Sequence, residues 1–159
     1  MSIWWSLHLR REAASVPLAR RLLLGTMEKA GVDPDISYDL SVALSEACAN
    51  AVEHGGRAAH PDGAHSCASP GGFQVTAYLD GDMCRIEVAD SGPGFPAVGH
   101  GHGRPARTPD LDAEHGRGLC LIREIADHAS FGNRPGRGGA VVSFDKILKW
   151  RTDAPLVSA

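Results

Sequence analysis

The chain has 159 residues, 43% hydrophobic and 22% charged, a profile that suits one globular domain able to bury its own core. Its 16 basic and 19 acidic residues leave a formal net charge of -3 with no dense run of Lys or Arg, so direct nucleic-acid binding is not expected. No stretch approaches the roughly 20 apolar residues of a membrane span, and Met1 to Arg10 lacks a long apolar run or a small-residue cleavage site, so a cytoplasmic protein without membrane contact is expected.

Residues 3 to 9 carry aromatic and β-branched side chains and suit a first strand. From Ser15, a candidate cap, Val16, Ala19, Leu22, Leu23, Met27 and Ala30 recur at helical steps up to Gly31. Asp33-Pro34 then reads as the N-cap and first residue of a second helix, with Ile36, Leu40, Ala43, Leu44, Ala47 and Ala51 on one stripe up to Gly55-Gly56. Residues 57 to 72 are crowded with Pro, Gly and small polar residues and read as an inserted surface loop.

Phe73, Val75, Ala77 and Leu79 alternate with polar residues; Gly81-Asp82 turns the chain into Cys84, Ile86 and Val88, which alternate in the same way. Two antiparallel strands are predicted. Ser91 to His115 is rich in Gly, Pro, His and Arg without apolar period and reads as a lid. After Gly116-Arg117-Gly118 a third helix is expected, with Leu119, Ile122, Ala126 and Ala129 on one face. Phe131 opens a strand, and Ala140 to Leu148 forms the last one. Residues 1–150 are read as one domain and 151–159 as a loose tail. The expected fold is an α/β (α+β) two-layer sandwich, a mixed, largely antiparallel sheet with three helices on one face. Cys48, Cys67, Cys84 and Cys120 are widely spaced with no Cys-x-x-Cys and read as reduced thiols.

Glu46 and Asn50 stand just over one turn apart on the second helix, and Glu53 extends the stripe. Such a stripe is either a solvated face or a pair of groups aimed into a pocket. Two further segments bear on the choice: Asp90-Ser91-Gly92-Pro93-Gly94 at a strand end, and His115-Gly116-Arg117-Gly118-Leu119 at a helix start. Glycines at a helix N-terminus admit a phosphate to backbone N–H groups, where the helix dipole favours negative charge. An Asp at a strand end can accept from an exocyclic amine. An Asn oxygen is a hard ligand suited to Mg²⁺, and a Glu one turn away can orient or deprotonate a hydroxyl. Gly116-x-Gly118 is no Rossmann fingerprint, since Leu121 fills the third glycine position, and no P-loop Gly-Lys-Ser/Thr is present. His100, His102, His115 and Glu114 lack zinc spacing, and Arg104, Arg107 and Arg117 are candidate γ-phosphate contacts.

Taken in order, Glu46-x-x-x-Asn50, Asp90-x-Gly92-x-Gly94 and Gly116-x-Gly118-Leu119 resemble the N box and the two glycine boxes of the GHKL superfamily of Bergerat-fold ATP binders. Ala43 to His54 and His115 to Arg123 look most like its free-standing anti-sigma-factor serine/threonine kinase branch. The resemblance implies ATP and Mg²⁺, with Asn50 holding the metal, Glu46 as catalytic base and Asp90 on the adenine amine. Gly92 and Gly94 would border the base; Gly116, Arg117, Gly118 and Leu119 would lie at the phosphates. The family often has a Thr after the glycines opening the last strand, where Gly138-Gly139 here leads into Ala140. The implied partners are a sigma factor and an anti-anti-sigma antagonist phosphorylated on a hydroxyl, with a homodimer through the first strand at Trp4 and Trp5. The alternatives are a non-catalytic nucleotide-binding or sequestration module of the same fold, and a detached histidine-kinase-like catalytic domain.

Overall fold

The computed structural model describes residues 2–55, 71–92, 94–95, 116–134 and 139–152. Nearly all of the predicted insertion and of the predicted lid with its His and Arg residues, and most of the tail, lie outside them. The elements run β1 (Ser2–Leu9), α1 (Ser15–Ala30), α2 (Pro34–His54), β2 (Phe73–Asp80), β3 (Met83–Asp90), α3 (Gly116–Ile125), β4 (His128–Asn133) and β5 (Ala140–Ile147).

The local signals explain most of these boundaries. Asp33 caps α2 by accepting the Asp35 N–H at 2.8 Å, an interaction worth about 1 kcal/mol, and Pro34 opens the helix where its missing donor costs nothing. The whole predicted α2 stripe is buried. Two details of α1 differ from expectation. Ser15 is not the cap: it is a buried residue inside the helix, and its hydroxyl donates to the Arg10 carbonyl at 2.6 Å. Leu22 is 41% exposed, because the buried edge runs through Ala19, Leu23 and Met27 at four-residue steps. The third helix stops at Ile125, so Ala129 belongs to β4 rather than to a helical face.

The five described strands stand in the order β1-β2-β3-β5-β4. The largely antiparallel sheet that was expected is antiparallel at every described pairing. The reason lies in the connections. With two helices between β1 and β2 the chain reverses three times, an odd number, so β2 returns antiparallel beside β1. The single helix between β3 and β4 makes those strands point the same way, but β5 comes back from β4 and inserts between them.

One parity of each strand packs inward: Phe73, Val75, Ala77 and Leu79 of β2 meet Cys84, Ile86 and Val88 of β3 and Val142 and Phe144 of β5. They form a single cluster with Leu23 and Met27 of α1, Leu40 and Leu44 of α2, and Leu119 and Ile122 of α3. The second helix lies over β3 and β5, with α1 and α3 beside it. On β1, Trp5 packs against this core while Trp4, 62% exposed, turns to the other face and tilts against Tyr78. No described helix is long and apolar enough to cross a membrane.

Candidate functional site

The central helix α2 carries the site along its length. Its first contact is with α3. A Cβ built on Gly118 would lie 2.9 Å from Glu46 Oε2, so the half-buried carboxylate rests against the first turn of that helix. Glycine is what allows the approach. The first-turn N–H groups of a helix have no intrahelical acceptor, and their summed dipole favours negative charge there. Asn50, half-buried, follows Glu46 by one turn along α2.

The C-terminal end of α2 closes on β3. Gly55 donates to the Ala51 carbonyl at 2.8 Å, and a Cβ built on Gly92 would meet its backbone at 2.6 to 2.9 Å, so the segment after β3 lies directly on the helix end. Asp90, 5% exposed, ends β3 at this point. Its Oδ1 accepts two backbone donors, Gly92 N–H at 2.9 Å and Ala140 N–H at 3.1 Å. Oδ2 has no protein donor among the described residues. One oxygen is therefore structural, joining β3 to the start of β5, and the other is available to a ligand donor.

Gly94 and Phe95 continue past Gly92, and Gly94 lies against the Gly139 carbonyl that leads into β5. Gly116, Arg117, Gly118 and Leu119 form the opening turn of α3, as expected. Arg117 is exposed. Leu119 is 1% exposed and committed to the core, so only its backbone can face a ligand. Ala140 offers no hydroxyl; its contribution is the N–H that anchors Asp90.

Two residues of this arrangement were not legible in the motifs. Gly55 reads in sequence only as a helix stop. Asn133, at the end of β4, carries no motif at all, yet it contacts the backbone of Phe95. Cys48 and Cys84 are buried free thiols of the core, and burial pushes each from 9.0 up to about 12. Cys120 is free and exposed on α3.

A two-layer sandwich with one face of helices, an Asp anchored at the end of β3 and a glycine-opened helix facing a Glu define a class. The chain belongs to the histidine kinase-like ATPase domain family, whose model matches residues 9–146.

Within that family it is similar to the serine-protein kinase RsbW of Bacillus licheniformis, 34% identical over 137 residues that span 84% of this chain and 78% of that protein. The serine-protein kinase RsbW of Bacillus subtilis strain 168 is 30% identical over 137 residues, with the same shares of 84% and 78%. In structure it is similar to the RsbU and RsbW domains of Rv1364c from Mycobacterium tuberculosis, with a TM-score of 0.61 and 21% identity. That match covers 92% of this chain and 32% of the longer one, and at this identity it speaks for the fold.

Proposed function

We propose that the chain is an ATP-dependent serine/threonine protein kinase of the anti-sigma type, which holds a sigma factor and phosphorylates an anti-anti-sigma antagonist. The observation that carries the reading is the Glu46 carboxylate against the opening turn of α3 at Gly118, some turns along α2 from the Gly55, Gly92 and Asp90 cluster. From Glu46 to Gly55 the helix rises about 13 Å at 1.5 Å per residue, a span suited to an extended nucleoside triphosphate. In this reading Asp90 Oδ2 accepts from the adenine amine, Gly92 and Gly94 border the base, and the first-turn N–H groups from Gly116 to Leu119 receive phosphate oxygens, with Arg117 beside them.

The residues present also fit a metal. Asn50 contributes a neutral hard oxygen just over one turn from Glu46, a donor set suited to Mg²⁺, which takes few protein ligands. Bound Mg²⁺ supplies charge neutralisation at the phosphates. Glu46 would take the proton of the antagonist's Ser or Thr hydroxyl as that oxygen bonds to the γ-phosphorus and the bond to ADP breaks. Positioning does most of the work in such transfers, so the protein's part is to hold the hydroxyl, the carboxylate and the phosphate chain in line.

Self-association through β1 belongs to the same proposal. This eight-residue edge strand carries no Pro or Lys, pairs with β2 without a bulge, and presents Trp4, 62% exposed, beside it. Such an edge invites strand addition by a second copy.

The test is phosphotransfer from γ-labelled ATP to an anti-anti-sigma antagonist. Glu46→Gln keeps ATP binding and lowers transfer by about 10²-fold or more, the usual contribution of a general base. Undiminished transfer by this variant would remove the kinase assignment for Glu46.

A further inference from the structure

The backbone that leaves the base end of the cleft is gripped by one side chain. Asn133, the last residue of β4, accepts the Phe95 N–H on Oδ1 at 2.6 Å and donates from Nδ2 to the Phe95 carbonyl at 3.0 Å. Both polar groups of Phe95 are thus satisfied by a single carboxamide, a two-point contact that fixes position and orientation together. The residue before it is moulded to the same side chain. Gly94 has φ of 78°, and a Cβ added there would stand 2.5 Å from Asn133 Oδ1 and 2.9 Å from its Cγ. No L side chain fits that space, so the glycine and the carboxamide require each other.

The Phe95 ring is held as well. It packs at the edge of the core with its centroid 6.4 Å from that of Phe131, on the same strand as Asn133. The Arg123 guanidinium lies 5.0 Å over the other ring, which ties this strand to α3. Phe95 is therefore fixed at its backbone by β4 and at its ring by a contact that leads to the helix whose first turn faces Glu46.

We propose that Asn133 is a positioning residue for nucleotide: it holds Gly94 and Phe95 as the wall of the base end, beside Gly139 and Asp90. The inference rests on the nucleotide-binding reading above. Asn133 touches no reacting atom and acts only through the backbone it orients. Glu46 lies about 13 Å along α2 from Gly55, so the loss of Asn133 acts on nucleotide affinity and leaves the transfer step intact.

The experiment measures ATP binding by calorimetry and phosphotransfer kinetics for wild type, Asn133→Ala and Asn133→Asp. Asn133→Asp is isosteric: it retains the acceptor for Phe95 N–H and puts an oxygen against the Phe95 carbonyl in place of the donor. Both variants should raise the Kd and KM for ATP, Asn133→Ala by about tenfold, as expected for two ordinary hydrogen bonds lost from a binding-competent conformation. The kcat at saturating ATP should stay within about twofold, since a base about 13 Å further along the helix is untouched. A purely structural role predicts the reverse, a lower kcat from fewer folded molecules with KM unchanged, and that result overturns the proposal. So does wild-type affinity in both variants. Failure of the wild-type protein to bind ATP at all would instead overturn the nucleotide reading and the proposal with it.

Discussion

Replacing Asp90 separates the two jobs assigned to its carboxylate. Oδ1 joins β3 to β5 through Gly92 N–H at 2.9 Å and Ala140 N–H at 3.1 Å, in a residue 5% exposed. Asp90→Ala removes the acceptor and leaves two donors unsatisfied, at about 1–3 kcal/mol each, or roughly 2–6 kcal/mol together. That is a large part of the about 5–15 kcal/mol that holds a domain folded, and it should lower Tm by about 5–20 °C. Asp90→Asn keeps an oxygen for both donors and gives up only the charge assistance, so its loss should stay below about 2 kcal/mol. Its Nδ2, however, would confront the adenine amine donor to donor, and ATP affinity should fall at least about tenfold. Urea unfolding gives the first quantity and calorimetry with ATP and Mg²⁺ the second. Equal destabilisation by Ala and Asn would refute the anchoring role of Oδ1, and unchanged ATP affinity in Asp90→Asn would refute the contact with adenine.

Two further predictions concern the core and the sheet edge. Because burial raises Cys48 and Cys84 from 9.0 to about 12, the folded protein keeps protons that the unfolded chain releases above pH 9. Their contribution is whole below pH 9 and is lost as pH rises toward 12, by up to about 1.4 kcal/mol per pH unit per thiol. The urea midpoint of wild type should therefore fall more steeply across that range than that of Cys48→Ala/Cys84→Ala; parallel pH profiles would contradict it. At the edge of the sheet, Trp4→Lys sets a charge on β1 and should convert a two-chain sedimentation mass into a single-chain mass. A single-chain mass for wild type at every concentration would end the dimer proposal.

Much of this molecule could be read without coordinates, and unevenly so. The alternation in β2 and β3 and the stripe on α2 are as the sequence suggests, since each reflects a period imposed by one element on its own residues. Ser15 and Leu22 depart from their sequence patterns for a related reason. A Ser near a helix start can cap it or lie within it, and adjacent leucines stand about 100° apart on a helix, so only the packing partner selects which of Leu22 and Leu23 turns inward. The site motifs mark Glu46, Asn50, Asp90 and the glycines by type and spacing. They say nothing of Asn133, because an asparagine before a turn has many ordinary uses.

The chain by itself determined the kinds of element, their order, the cap at Asp33, the turn at Gly81, and the residue types able to meet a nucleotide. All of these follow from interactions among neighbours a few residues apart. Tertiary structure alone decided that β5 inserts between β3 and β4, that Asp90 joins β3 to β5 through residue 140, and that Asn133 reaches Phe95 across 38 positions. Those contacts form between segments that local periodicity treats as independent. Their geometry exists only once the common hydrophobic core has brought the segments to one end of the sheet.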